Sequence, residues 1–166
     1  VSQSGLTNGS KLLACMLMII GGSPAGTAGG IKTTTVAVLL LTAISVLRGN
    51  KDTECYGRKI TFEIIRVGIT ITLVTFVFWL FGVTVMTVIE PQQKVLDLMF
   101  EATSAMATVG LTVDLTPVLS DISHVVLMLM MYIGRIGPMT MALIFSGHVD
   151  KKNQFRTLPE AKIMVG

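Results

Sequence analysis

VGITITLVTFVFWLFGVTVMTVI, residues 67–89, is a run of 23 residues without a single charge. As an α-helix it would be about 35 Å long, and the hydrocarbon core of a bilayer is about 30 Å thick. The whole chain has the same character, with 51% hydrophobic and 14% charged residues. A typical soluble domain has about 25% charged residues. The sequence therefore predicts an all-α membrane protein, and Glu90-Pro91 is expected to end this span.

A second apolar segment, residues 122–146, predicts another span. Thr116-Pro117, just before it, resembles a helix start with proline in the first turn. Between the two spans, residues 95–107 predict a short helix with apolar residues three or four apart and two carboxylates that argue against lipid exposure. Irregular backbone at membrane depth survives only where protein buries it or where it lines water. The pattern therefore predicts a re-entrant half-helix between two spans.

TVGLT, residues 108–112, follows this half-helix and is similar to the TVGYG filter of potassium channels. In such a filter, carbonyl oxygens replace the hydration shell of the ion, and a central glycine lets the backbone turn those oxygens inward. TVG alone is common in ordinary external loops, but the neighbouring half-helix and spans favour a filter. The predicted filter residues are Thr108, Val109, Gly110, Leu111 and Thr112, with K⁺ held by the carbonyls of the first three.

Lysine and arginine are concentrated in two regions, residues 48–66 and the tail at 148–166. The connecting region 90–121 has one lysine against five carboxylates. Because cytoplasmic segments carry an excess of basic residues, the first two regions are predicted to be cytoplasmic and the third external. We therefore expect a multi-pass protein of the cell membrane with a cytoplasmic C-terminus.

A glycine-rich stretch, GGSPAGTAGGIKTTT at residues 21–35, interrupts a third apolar region. The nine apolar residues before it would span only about 14 Å as a helix, half a membrane, so the break is predicted to lie inside the bilayer. It is a candidate gate loop, whose residues are Gly21, Gly22, Ser23, Pro24, Ala25, Gly26, Thr27, Ala28, Gly29 and Gly30, with Lys32 after them.

This stretch has two other possible interpretations. Residues 26–33 nearly spell the phosphate-binding pattern G-x-x-x-x-G-K-[ST], but Ile31 stands where glycine is required and no βαβ unit precedes it. A broken-helix carrier of another cation or a small solute is the second alternative. TVGLT after a re-entrant helix argues against that carrier. No carboxylate pair, Ser-His-Asp set or Cys-His cluster indicates an enzyme, and Cys15 and Cys55 are predicted to be free thiols.

Arg135 lies in the middle of the second span, where an arginine costs about 2.5–3.5 kcal/mol on insertion scales. It is therefore expected to face the interior of the helix bundle, with snorkelling to the interface as the alternative. Gly134, Gly137 and Pro138 beside it permit close packing or a kink. Glu101 on the half-helix is either a support for the filter or a solvated external acid.

Three segments resemble the Trk/Ktr/HKT superfamily of potassium transporters, and most closely its bacterial KtrB-type pore subunit. They are IIGGSPAGTAGGIKTTT (19–35), FEATSAMATVGLT (100–112) and MYIGRIGPMT (131–140). The resemblance implies four repeats of span, pore half-helix and span around one pore. Residues 1–47 would then be the last, broken helix of the third repeat, 48–60 a cytoplasmic loop and 61–147 the fourth repeat. The chain is expected to be a C-terminal fragment, and with one filter strand of four it is not expected to conduct alone.

The same resemblance implies the partners and cargo. Arg135 would lie in the pore beneath the filter as a barrier to ion flow. The protein would be a homodimer in the lipid bilayer, regulated by a cytoplasmic nucleotide-binding subunit of the KtrA/TrkA type. K⁺ would be transported, with sodium coupling left open. No covalent cofactor and no nucleic-acid partner are expected, and nucleotide would bind only to the regulatory subunit.

Overall fold

The computed structural model describes residues 3, 5–23, 29–49, 53–55 and 58–136 of the 166-residue chain. This part of the protein is mostly helical. In chain order its elements are α1 (Asn8–Ile19), α2 (Thr33–Leu47), β1 (Glu54–Cys55), β2 (Arg58–Lys59), α3 (Phe62–Ile89), α4 (Val95–Met106), a 3₁₀ turn (Thr116–Val118) and α5 (Asp121–Ile136).

Helix α3 is the long apolar helix that the uncharged run predicts. It has 28 residues and is therefore about 42 Å long. Within the described ranges it is the one helix long and apolar enough to cross a membrane. It begins at Phe62, five residues before the uncharged run, and ends at Ile89 because Pro91 follows. Large apolar side chains such as Leu73 and Phe81 are exposed along it, as expected for a lipid-facing surface.

Helix α4 is the short half-helix, and it lies at the centre of the packing. It contacts α1, α3 and α5. From Phe100 to Met106 every residue of α4 is buried, and Phe100, Ala102 and Thr103 are fully so. Its 12 residues extend only about 18 Å, too short to cross a bilayer. Protein on three sides therefore shields a helix that carries Asp97 and Glu101.

The two ends of the glycine-rich stretch between α1 and α2 are hydrogen-bonded to each other at Ile20 and Ile31, and we call this pairing the neck of the loop. Ile20 and Ile31 form an isolated parallel bridge, in which Gly21 N–H donates to the Ile31 carbonyl (2.8 Å) and Ile31 N–H donates to the Ile19 carbonyl (3.2 Å). Thr33 N–H also donates to the Gly22 carbonyl (3.2 Å). These bonds satisfy backbone groups that neither helix can pair. The two ends of the loop are therefore tied together.

Two expectations need correction. The hydrophilic segment 48–60 contains a small antiparallel hairpin, in which Glu54 pairs with Lys59 and Cys55 with Arg58, so the chain is not purely helical. Thr116-Pro117 forms a separate 3₁₀ turn, and α5 begins only at Asp121. The predicted N-cap was wrong, because Leu115 rather than Thr116 precedes this turn and no side chain caps it. The Thr116 hydroxyl instead lies within the turn and donates to the Glu101 carboxylate (3.0 Å).

Part of the predicted second span and the predicted cytoplasmic tail lie outside the described residues. Helix α5 is described for 16 residues, up to Ile136. The tail 148–166 and the centre of the glycine-rich loop, residues 24–28, are also outside the described ranges.

Candidate functional site

The strand predicted as a filter, residues 108–112, leaves the C-terminal end of α4 with an unusual backbone. Thr108 and Gly110 have positive φ angles of 54° and 81°, whereas φ is negative at Val109 between them and at Leu111 after them. In an ordinary extended strand, successive carbonyls point to opposite sides; φ of alternating sign tends to turn them to one side. Val109 and Gly110 are exposed. The strand can therefore present a row of carbonyl oxygens to a cation.

Glu101 supports the segment that follows this strand. Its carboxylate accepts hydrogen bonds from the Val113 N–H (3.0 Å), the Thr116 hydroxyl (3.0 Å) and the Thr112 hydroxyl. The Thr112 hydroxyl also accepts a bond from the Asp114 N–H (3.0 Å). Glu101 is only 5% exposed, so its charge is offset by these donors rather than by water. One buried carboxylate thus fixes the backbone from residue 112 to residue 116.

Two further polar contacts hold α4 from its other sides. The Lys11 ammonium of α1 forms an ion pair with Asp97 (2.6 Å), and both side chains are at least four-fifths buried. The Trp79 indole N–H of α3 donates to the Thr103 hydroxyl (2.9 Å). Sequence reasoning missed both contacts. A lysine at the start of an apolar helix was the available signal for the first, but nothing local identifies its partner 86 residues away.

The end of the glycine-rich loop contacts the start of the filter strand. The Gly29 N–H donates to the Thr108 hydroxyl (2.8 Å), and Gly29 is buried. Helix α5 completes this junction, because a Cβ at Gly134 would lie 1.9 Å from the Met106 carbonyl oxygen. Only glycine permits so close an approach of α5 to the end of α4. Loop, filter strand and α5 therefore meet at one point.

Arg135 follows Gly134 directly and lines a cavity of about 630 Å³. The same cavity is lined by Glu101 and by four of the five predicted filter residues, Thr108, Gly110, Leu111 and Thr112. The predicted barrier residue, most of the filter and the filter support therefore share one space. Arg135 also interacts with other groups of the protein. Its positive charge is thus held close to the candidate cation path.

The remaining predicted site residues are less central. Gly21 and Gly22 line a groove of about 470 Å³ together with Thr108 and Val109, so the neck of the loop faces the filter strand. Ser23 is exposed, and Lys32 immediately precedes α2. Pro24, Ala25, Gly26, Thr27 and Ala28 lie outside the described residues.

Glu90 forms a second carboxylate contact, at the end of α3. It accepts hydrogen bonds from the Ser120 N–H (2.8 Å) and the Ser123 hydroxyl (3.0 Å), which join the end of α3 to the start of α5. Hydrogen bonds from Ser120 and Ser123 lower the pKa of Glu90, and the nearby His124 adds a smaller effect in the same direction. This contact was not predicted from the sequence.

Comparison with known protein families identifies the family of this chain. The profile of TrkH, described as a cation transport protein, matches residues 1–156. The chain belongs to the TrkH family. Membership confirms the predicted resemblance, makes the protein a membrane protein and confirms that the chain belongs to a transport family rather than to an enzyme family.

Curated relatives match almost the whole chain. It is 35% identical to Ktr system potassium uptake protein B of Bacillus subtilis over 161 residues, which are 97% of this chain and 35% of that protein. It is 32% identical to Ktr system potassium uptake protein D of the same organism, over 100% of this chain and 36% of the relative. It is 34% identical to potassium/sodium uptake protein NtpJ of Enterococcus hirae, over 97% of this chain and 36% of the relative. The chain thus spans about a third of the length of these relatives.

Proposed function

We propose that this chain forms part of a potassium uptake pore, in which residues 108–112 are one strand of a four-stranded filter. The observation that supports this proposal is the alternating sign of φ at Thr108, Val109 and Gly110, which allows their carbonyl oxygens to face one side, as a cation filter requires. The printed names of the relatives, which are potassium uptake proteins, support K⁺ as the cargo. The Glu101 contacts support it further, since a filter must keep its oxygens at fixed positions.

The glycine-rich loop and Arg135 form the gate in this proposal. The bridge at Ile20 and Ile31 ties the two ends of the loop together, and Gly29 near its second end lies beside Thr108. Arg135 raises the energy of a cation below the filter through its positive charge. An intramembrane loop beside an arginine therefore obstructs the path until the loop moves.

Flow through such a pore is passive and follows the membrane potential, which supplies about 2.3 kcal/mol per charge per 100 mV. The working protein in this proposal is a homodimer with a cytoplasmic C-terminus, and a cytoplasmic nucleotide-binding subunit acts on the gate. The word "system" in the names of two relatives supports a multi-component assembly. The name of the Enterococcus relative includes sodium, so coupling to Na⁺ is part of the same test.

The filter assignment is tested with Gly110→Ser in the full-length protein, expressed in a bacterial strain that lacks its own potassium uptake. Nothing lies within 4 Å of a Cβ at Gly110, so the substitution acts through its φ of 81° rather than through a clash. Gly49 offers a matched control, because it has φ 71°, equally open surroundings and a position in the predicted cytoplasmic loop. Gly110→Ser should reduce the preference for K⁺ over Na⁺ in flux assays, and Gly49→Ser should not. Unchanged selectivity in Gly110→Ser would refute the filter.

The gate assignment is tested by deleting Ala25 and Gly26 from the same full-length protein. A shorter loop obstructs less of the path, so K⁺ flux should rise while selectivity, which belongs to the filter, stays the same. A flux equal to that of the unmodified protein would count against the gate.

A further inference from the structure

The Gly29–Thr108 hydrogen bond joins two parts of the proposed pore that have separate tasks. Gly29 belongs to the loop and Thr108 is the first residue of the filter strand, 79 positions later in the chain. The donor is a backbone N–H and the acceptor a side-chain hydroxyl at 2.8 Å, which is good geometry for such a bond. Because Gly29 is buried, water could not replace Thr108 as the acceptor for the Gly29 N–H if this bond were broken.

The backbone of Thr108 supplies a second, independent observation. Its φ of 54° is in the left-handed region, which a β-branched residue rarely adopts. Such a conformation costs free energy and persists only where the surroundings enforce it. The contacts of the Thr108 side chain with Gly29 are part of that enforcement, since a Cβ at Gly29 would lie 2.9 Å from the hydroxyl and 3.0 Å from the methyl carbon of Thr108.

The junction is also packed on its far side. A Cβ at Gly29 would lie 3.0 Å from the Gly134 carbonyl oxygen of α5, so Gly29 is enclosed between Thr108 and α5. The neck bridge at Ile20 and Ile31 anchors the loop two residues beyond Gly29. A movement of the loop that reaches Gly29 must therefore break its bond to Thr108.

We propose that the Thr108 hydroxyl is a positioning group that latches Gly29 to the first residue of the filter, so that the backbone at Gly29 and the conformation of Thr108 change together. This inference rests on the proposed function. It goes beyond it by giving the side chain of Thr108 a task separate from that of its carbonyl. It also makes the first filter residue one of the groups that hold Gly29 in its observed position.

The test measures hydrogen–deuterium exchange by mass spectrometry, on peptides that cover residues 21–33 of the full-length protein in lipid nanodiscs. Thr108→Val keeps the β-branched shape and removes the acceptor, so exchange of the Gly29 amide should become about three- to tenfold faster, as expected for the loss of one hydrogen bond. Thr108→Ser keeps the hydroxyl and should retain the original exchange rate. Thr84→Val is the matched control, because the Thr84 hydroxyl donates to the Leu80 carbonyl within α3, away from the loop.

A second measurement separates a latch from a merely structural contact. Potassium flux without the regulatory subunit should rise in Thr108→Val, because Gly29 is no longer held against the start of the filter strand. Unchanged exchange at Gly29 would overturn the latch, and so would faster exchange with unchanged flux. Thr108→Ala gives the same two readouts if Thr108→Val does not assemble. A failure of the proposed function would look different, because it would appear as unchanged selectivity in Gly110→Ser.

Discussion

Replacing Glu101 should loosen the filter strand by an amount that can be worked from its hydrogen bonds. The carboxylate accepts three, from Thr112, Val113 and Thr116. Bonds to a charged group contribute about 1.5–3 kcal/mol each and neutral ones about 0.5–1.5 kcal/mol. Glu101→Gln keeps an acceptor for two of the donors but loses the charge, so we expect a destabilisation of about 2 kcal/mol. This value is at the low end of what these bond energies allow, because Thr112 and Thr116 are partly exposed.

Glu101→Ala should cost more, about 4 kcal/mol, because the buried Val113 N–H would also lose its only acceptor in the described contacts. The assay has two parts, thermal unfolding of the full-length protein in detergent and the ratio of K⁺ to Na⁺ flux in liposomes. The unfolding temperature and the ratio of K⁺ to Na⁺ flux should both be highest in the unmodified protein, lower in Glu101→Gln and lowest in Glu101→Ala. The matched control is Glu63→Gln, which removes an exposed charge from the first turn of α3.

The result that refutes this reasoning is a Glu101→Gln protein that behaves like Glu63→Gln in both assays. Glu101 would then be an external acid with no part in holding the filter. Loss of stability without loss of selectivity would place Glu101 in the packing of α4 but not in the support of the carbonyls.

Three further predictions concern the contacts around α4 and α5. Lys11→Met and Asp97→Asn should each lower the stability in thermal unfolding by about 3 kcal/mol, because each leaves a buried charged partner unpaired. The double variant should lose less than the sum of the two single losses. A purely additive loss would contradict the ion pair. Gly134→Ala should prevent correct assembly, because its Cβ would meet a backbone carbonyl of α4. Gly9→Ala is the control, because nothing lies within 4 Å of a Cβ at Gly9. Size-exclusion chromatography should show normal assembly for Gly9→Ala only. The lowered pKa of Glu90 means that its stabilising effect is present above its unfolded pKa and is lost as pH falls through the lowered value. Glu90→Gln should therefore unfold at a lower temperature than the unmodified protein at pH 7, and the two should converge in acid; a constant difference would argue against the contact.

Local patterns in the sequence were sufficient to predict the helices that position the site. The uncharged run contains most of α3, and the 3–4 spacing of apolar residues predicts α4, because both signals depend on residues within one or two turns. The local cap signal at Thr116-Pro117 failed for a physical reason. An N-cap hydroxyl accepts a hydrogen bond from a backbone N–H, whereas Thr116 lies within the turn and its hydroxyl donates to the charged carboxylate of Glu101, 15 positions away. The two-residue strands β1 and β2 are too short to show any alternation.

The contacts that complete the candidate site could not be predicted, because each joins residues far apart in the chain. Lys11 and Asp97 are separated by 86 positions, and Gly29 and Thr108 by 79. Neither pair has a spacing that a periodic pattern can report. The sequence shows only that a charged or flexible residue stands in an apolar region, where it must find a partner.

The position of α4 follows from the way its partners are distributed. Asp97 is held by α1, Thr103 by α3 and Glu101 by the segment after the filter strand. These three ties act on the first, last and middle turns of α4, respectively, so a rigid-body tilt of α4 would strain at least one of them. Beyond Thr103, the end of α4 is backed by the close approach of Gly134 to the Met106 carbonyl. Because Met106 lies two residues before Thr108, we expect a shift of α5 also to reach the junction between loop and filter.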